Sequence, residues 1–426
     1  MGNRAAFRLL HDGRKPPEAA VKQIAILTLA TALICACESP TTPASHQPSG
    51  LLGITPDPIV RLDLGTLGGL SSAAADVNNS GTIVGSSLTT TGETHAFRWT
   101  LLGGMVDLGT LPGDGWSKAI GITDDGQILG VSGGSGQSHG QPVMWTSGEP
   151  ASIVAMPEVL SGTSFGEPTA FNAQGEIVGW DFVINQHAFY WSESRGRTDL
   201  TALVGKPEGD ALDINASGMV VGTNLSYCPD ALGHFFPCWH GFLWSYDNGY
   251  RDLGTPDGHP NATVQAWGIN NDGMVVGVAG AQPFRWRDGE GFTLLPTVSG
   301  SGGGTAIDVN RSNTAVGQNG VTQAAAWPAS GGILLLNPGD SHRSYAVAIN
   351  DQGWVAGWMG VDPTSANHAT LWILSPSPAG VLAGTFGSPS ASATSATSGS
   401  DSCLAPSEAV VSKQALIACA LGRNPK

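Results

Sequence analysis

Four groups of residues in this 426-residue chain have types and spacings that could do chemistry. The first is a His or Gln standing four residues ahead of a Trp: His95, Gln141, His187, His240, Gln282, Gln323 and His368. A ring of histidines would suit a metal ion. A position that accepts either residue asks instead for a side chain that both donates and accepts hydrogen bonds. Metal ligation is therefore not the expectation here. The second group is Asp76-x-Asn78-x-Ser80-Gly81 and Asp213-x-Asn215-x-Ser217-Gly218, which begin like a calcium loop. The twelfth positions hold Ser87 and Asn224 in place of the bidentate Glu, so a hairpin turn is the better reading. The third is Gly130-Val131-Ser132-Gly133-Gly134 and Gly162-Thr163-Ser164-Phe165-Gly166. Both match the Gly-x-Ser-x-Gly nucleophile pattern, but neither leads into the helix that such an elbow needs. The fourth is an insertion from Thr223 to Trp239, with Tyr227, Cys228, Asp230, His234, Phe235, Phe236 and Cys238. In an oxidising compartment Cys228 and Cys238 are expected to form a disulfide. A zinc site using His234 or His240 is the alternative. No metal and no cofactor is called for.

What must position these groups is a repeat. A Gly ends a short apolar run at Gly85, Gly130, Gly179, Gly222, Gly277, Gly317 and Gly357. The mean spacing is about 45 residues, the period of propeller blades rather than of helical solenoids. A Trp follows each Gly, at Trp99, Trp145, Trp191, Trp244, Trp286, Trp327 and Trp372. Seven of the 13 Trp are thus one position copied, and a core role wedged between blades is expected for it. Each copy reads as four strands. In copy one Ala74–Asn78 alternates apolar with small or polar residues. Asn78-Asn79-Ser80-Gly81 supplies a tight turn. Thr82–Gly85, His95–Trp99 and Met105–Gly109 complete the set. Seven such units predict an all-β fold, a seven-bladed β-propeller of four-stranded antiparallel blades. Ile59–Leu64 matches a fourth strand with no first three before it, and the last unit stops at three strands. The N-terminal strand is therefore expected to complete the last blade and remove two sheet edges.

Asp63-Leu64-Gly65-Thr66-Leu67-Gly68-Gly69, Asn78-x-x-Gly81, Ile83-Val84-Gly85 and His95-Ala96-Phe97-Arg98-Trp99 resemble the HAF repeats of a bacterial family described as extracellular repeat proteins. The resemblance covers about residues 59–374 and is closest in copies one to three. Copies five and six drift, and copy six has Asn313 in place of the turn Gly. The resemblance implies fold and location and carries no catalytic residues.

The ends bear on location. Gln23–Ala36 is an uncharged apolar run of 14 residues preceded by Lys22. That is short for a membrane span and right for an export signal. Leu33-Ile34-Cys35-Ala36-Cys37 resembles the lipobox of bacterial lipoproteins, which implies lipid on Cys37. An ordinary secretory signal is the alternative, and Val21 offers a more compact start to the leader. The domain reading is an export signal over 1–37, a flexible tether over 38–58, the propeller over 59–374, a low-complexity linker over 375–402 and a short segment over 403–426. In that last segment Ser407 can cap a helix that Gly422 stops.

Charged residues are only 12% and Gly reaches 60, which fits many half-buried strands joined by turns. The net charge of −15 becomes −18 once residues 1–37, with five Lys/Arg and two Asp/Glu, are removed. Such a surface argues against nucleic acid, whose phosphates demand Lys and Arg, and no membrane contact beyond a lipid anchor is expected. In propellers the connections from strand four to strand one and from strand two to strand three share a face. Variation in length is concentrated there, as on a rigid scaffold that presents a recognition surface. The expected function is a monomeric binding module for a glycan, peptide or protein partner. Its candidate contacts are Trp116, Asp181, Tyr227, Phe235, Trp239, His259, Arg343 and Trp358. The rival is a propeller-type polysaccharide lyase or glycoside hydrolase using acids such as Asp114, Asp181 or Asp257. A structural surface protein is the third reading.

Overall fold

A computed structural model describes residues 59–374, apart from 147–151, 161, 163–164, 183–184, 230–233, 258–261 and 362–365. Expectations for the export signal, Cys37, the tether and everything after residue 374 lie outside the described residues.

The chain forms seven four-stranded antiparallel sheets, each in simple meander order. Blade one is Gly68–Val77, Ile83–Thr89, Thr94–Thr100 and Gly104–Gly109. Blade seven is Ser344–Ile349, Trp354–Gly360 and Asn367–Leu374, and the N-terminal strand Ile59–Asp63 is its fourth. That strand runs antiparallel to the last one, from Ile59 opposite Leu374 to Asp63 opposite Thr370. The ring is thus closed by main-chain hydrogen bonds between its two ends.

The repeated Gly has a steric cause. In every blade the pairing of strands one and two slips by one residue, as between Ala74 and Asp76 in blade one and between Ala346 and Ala348 in blade seven. The extra residue is a bulge, and the Gly lies opposite it. A methyl on Gly85 would collide with the carbonyl oxygen of Ala73. Methyls on Gly130, Gly179, Gly222, Gly277, Gly317 and Gly357 would collide with those of Lys118, Glu167, Asp210, Gln265, Thr305 and Tyr345.

Seven apolar clusters form the core, one at each junction between blades. All seven repeated Trp are buried in them. Among the described residues two single turns of helix depart from the all-strand expectation, Pro157–Leu160 and Leu200–Leu203, both in blade three's surroundings. The second forms because Asp199 caps it, accepting from the Ala202 N–H at 2.8 Å.

Candidate functional site

The two faces of the ring are built differently. On one face strands one and two are joined by the same turn seven times. Its first residue donates an N–H to the carbonyl four residues on, and the fourth residue donates back to the first, as in Asn78–Thr82 and Asn350–Trp354. The turn Gly has positive φ in six copies, and Asn313 takes that conformation at φ 59° in the sixth. The Asn that opens the turn has a second task. Asn78 Oδ1 accepts from the N–H groups of Ser80 and Thr82, while its Nδ2 donates to the Thr123 carbonyl of the next blade at 3.0 Å. The same reach links Asn172 to Asn215, Asn215 to Asn270, Asn270 to Asn310, Asn310 to Asn350 and Asn350 to Asn78, at 2.9–3.0 Å. Six of the seven junctions are tied this way. The junction from blade two to blade three lacks the tie because Thr123 has no amide to donate.

Near these turns Asp76, Asp213 and Asp308 occupy one repeat position in blades one, four and six. Each accepts two main-chain N–H groups, one from its own successor and one from the next blade: Ile122, Ile269 and Ile349. Burial pushes the carboxyls of Asp76 and Asp213 up to about 7 and that of Asp308 to about 6, and the charge of Asp308 adds to the rise of the other two. The Asp-x-Asn-x-Ser-Gly runs are therefore hairpins whose Asp is used by the neighbouring blade.

The opposite face carries connections of unequal length and much of the exposed apolar surface. Leu70, Phe165, Tyr227, Phe235, Val321 and Val361 all lie there. Its main projection is the hairpin of blade four, Val220–Pro229 paired with Phe235–Ser245 over ten rungs. Tyr227 is 58% and Phe235 71% exposed. A disulfide joins Cys228 to Cys238 across the hairpin, with Cα atoms 5.8 Å apart. Beside it, at blade three, Phe165 lies stacked between His139 (4.6 Å) and Phe182 (5.0 Å), with Trp180 edge-on. Sequence reasoning missed this group, whose members come from two blades.

The remaining candidates fall into three kinds. Arg343 is exposed, as a contact residue should be. Trp116, Trp239 and Trp358 are half-buried and sit in strands rather than in the connections. Trp116 is committed to its own loop, donating Nε1–H to the carbonyls of Gly134 and Gln137. Trp358 stacks on Tyr345 at 5.9 Å. Asp181 must be corrected: it is fully buried and paired with Arg197, whose Nε donates to it at 2.7 Å. Burial pushes its carboxyl up against the pull of that guanidinium. The sequence hid this because Arg197 belongs to the fourth strand of the same blade. His259 lies outside the described residues. Of the other two acids in the enzyme reading, Asp114 accepts from Ser132 Oγ at 2.7 Å, and Asp257 lines a cleft of about 520 Å³ between blades four and five.

The His and Gln of the third strand also find an explanation. His95, His187, His240 and His368 each bond through Nδ1 to a fourth-strand carboxylate, Asp107, Asp199, Asp252 and Asp63, at 2.7–2.8 Å. Where the third strand has Gln, the matching fourth-strand residue is Ala155, Leu294 or Leu335. The pairs are diagonal cross-strand contacts. For His95, His187 and His240 the signal was legible in the sequence, as a His whose own copy carries the Asp, while His368 takes Asp63 from the N-terminal strand that completes its blade.

No family model and no curated protein matches the sequence. Solved propellers resemble the fold at low identity. Virginiamycin B lyase from Staphylococcus aureus gives a TM-score of 0.47 at 11% identity, over 74% of this chain and 99% of that one. YCF48 bound to D1 peptide gives 0.46 at 13%, over 75% and 98%. SapL1 lectin in complex with alpha methyl fucoside gives 0.32 at 11%, over 71% and 94%. The likeness extends to the arrangement of strands and no further.

Proposed function

We propose that this protein is an exported, lipid-anchored propeller of the HAF-repeat kind that binds a glycan, peptide or protein partner through its long-connection face. The observation that carries this reading is the asymmetry of the two faces. One is a set of seven like turns tied from blade to blade by an Asn at six of the seven junctions. The other carries the unequal connections and, on the blade-four hairpin, the exposed Tyr227 and Phe235. Aromatic side chains presented on a rigid element give contact area at low entropic cost. The acids of the enzyme reading do not favour it: Asp114 and Asp181 are bonded within their own blades.

The test is a binding screen of the full chain against glycan and peptide arrays. Binding should fall at least tenfold in Tyr227→Ala with Phe235→Ala and stay unchanged in Asn79→Ala on the other face. Equal loss in both variants, or a ligand retained by the double variant, would overturn the reading. The anchor is tested separately by fatty-acid labelling, which Cys37→Ser should abolish.

A further inference from the structure

The disulfide of the blade-four hairpin has an unexpected neighbour. His240 Nε2 lies 3.4 Å from Cys228 Sγ. The other ring nitrogen, Nδ1, is bonded to Asp252 at 2.7 Å. With Nδ1 donating to the carboxylate, Nε2 carries the lone pair and points it at the sulfur. The Sγ atoms of Cys228 and Cys238 and the ligand nitrogen of His240 all lie within 4.8 Å of one another. Both cysteines are buried, at 7% and 0% exposure. Two sulfurs and an imidazole held in place by a carboxylate behind it are the donor set and outer support of a zinc site.

We propose that the reduced chain holds one zinc ion on Cys228, Cys238 and His240, with water as the fourth ligand, so that the same hairpin is clipped by sulfur in one redox state and by metal in the other. The step balances. An external dithiol or phosphine supplies two electrons, and with two protons the S–S bond becomes two thiols. Zinc(II) then displaces both thiol protons, giving a neutral bis-thiolate centre to which His240 adds without losing a proton. Softness selects the ion: thiolate donors favour zinc over calcium or magnesium. Cα atoms 5.8 Å apart let the two sulfurs separate to a zinc-spanning distance by side-chain rotation.

Of the other His–Asp pairs, those of His95, His187 and His368 show the same bond to a carboxylate. The only described group with the donors for a metal is the one in blade four. His240 is one of the seven His or Gln positions, but it joins the group through the two cysteines of its own hairpin and not through the other six.

The experiment uses the full chain, reduced under nitrogen and freed of reductant, titrated with cobalt(II) as a coloured stand-in and then with zinc(II). The expected result is a thiolate-to-cobalt charge-transfer band that saturates at one equivalent above the level given by Cys228→Ser and is bleached by zinc. The Cys228→Ser reference subtracts any metal taken by Cys35, Cys37, Cys403 and Cys419. The oxidised chain should show none of that increment. His240→Gln keeps both thiols and should weaken binding at least tenfold. Asp252→Asn, a positioning change, should weaken it by about ten- to a hundredfold. Near-UV circular dichroism from the buried Trp residues reports that the reduced propeller stays folded. An increment of zero, an increment that His240→Gln leaves unchanged, or a reduced chain that loses its near-UV signal and does not regain it on adding zinc would each overturn the proposal.

Discussion

The turn face and the long-connection face are made by the same seven repeats, yet they obey different rules. On the turn face the opening Asn of six blades serves its own hairpin and the neighbouring blade at once, as Asn78 does with one oxygen and one nitrogen. A change there is felt at two blades. On the other face the recurring His–Asp pairs stay within a blade, while His139–Glu167 and Gln186–Asp210 each cross a single junction. His95–Asp107 and Asp181–Arg197 both join strands of the same sheet. Connections can therefore lengthen, as in blade four, without disturbing a neighbour. A repeat protein that must keep its ring closed and still vary a surface separates the two tasks in this way.

The harshest way to break the comparison is to attack what both faces share. Gly277→Ala drives a methyl into the Gln265 carbonyl oxygen at the bulge. It should cost about 3 kcal/mol, read by urea denaturation, because a strand backbone cannot yield as a side-chain tip can. Gly92→Ala, in a long connection with open space around it but positive φ, should cost about 1 kcal/mol. Equal costs would mean that the bulge is not rigid.

Next in size is the tie that closes the ring. Asn350→Ala removes both the turn acceptor and the bond to the Asn78 carbonyl at the seam where blade seven meets blade one. A loss of about 2 kcal/mol is expected. Asn350→Asp separates the two roles, since a carboxylate still accepts from Gln352 and Trp354 but cannot donate across the seam. If Asn350→Asp is as stable as the parent, the seam bond contributes nothing and the comparison of faces loses its main support.

Much of this could be read from the sequence, and the reasons are physical. Core positions repeat because each junction buries the same Trp, so period, blade count and the closing strand were all visible. Three of the four His–Asp pairs were visible too, since the partners lie 12 residues apart in one copy, whereas His368 and Asp63 are 305 residues apart. The Asn ties were not, because each Asn donates to the next copy, 40 to 55 residues on, or across the seam, 272 residues away. Asp181 was misread for a related reason. It follows Trp180 near the end of a second strand, where exposure is common, and only the diagonal reach of Arg197 over Phe189 brings the guanidinium to it. The grouping of His139, Phe165, Trp180 and Phe182 depends on how blades two and three meet, which no single copy records.

The third prediction concerns pH. Asp76, Asp213 and Asp308 have folded values near 7, 7 and 6 against 3.8 when free. A raised carboxyl favours the folded state in its protonated form. This contribution is greatest below about pH 4, is lost as pH rises to about 7, and is level beyond. Asp125 and Asp340, whose values are lowered, act in the opposite sense only as pH falls toward and below their ordinary range. The melting temperature should therefore be several degrees higher at pH 5 than at pH 8. Asp213→Asn should flatten that difference. A curve that is flat or rises with pH in the parent would show that these carboxyls are better solvated than their burial implies.

The smallest expected effect tests the turn face by completing it. Blade two opens its turn with Thr123, whose hydroxyl serves only its own loop by accepting from the Gln127 N–H and bonding to Asp125. The junction to blade three is consequently the one without an Asn tie on the turn face, although the Asn172 carbonyl belongs to the same repeat position that accepts the tie at the other junctions. Thr123→Asn places an amide at the position that Asn78 occupies one blade earlier. The new Oδ1 would take over the turn N–H groups, and the new Nδ2 would reach Asn172. A gain of about 1 kcal/mol is expected, partly offset by the lost Asp125 contact. The gain should vanish in Thr123→Asp, which can accept but not donate. Because the ring closes on itself, the junction between blades two and three should be where hydrogen exchange first opens the parent. Thr123→Asn should slow exchange there more than at any other junction. If exchange slows equally at all seven, the ring unfolds as one unit and the ties act through its total stability, not through the junction each one spans.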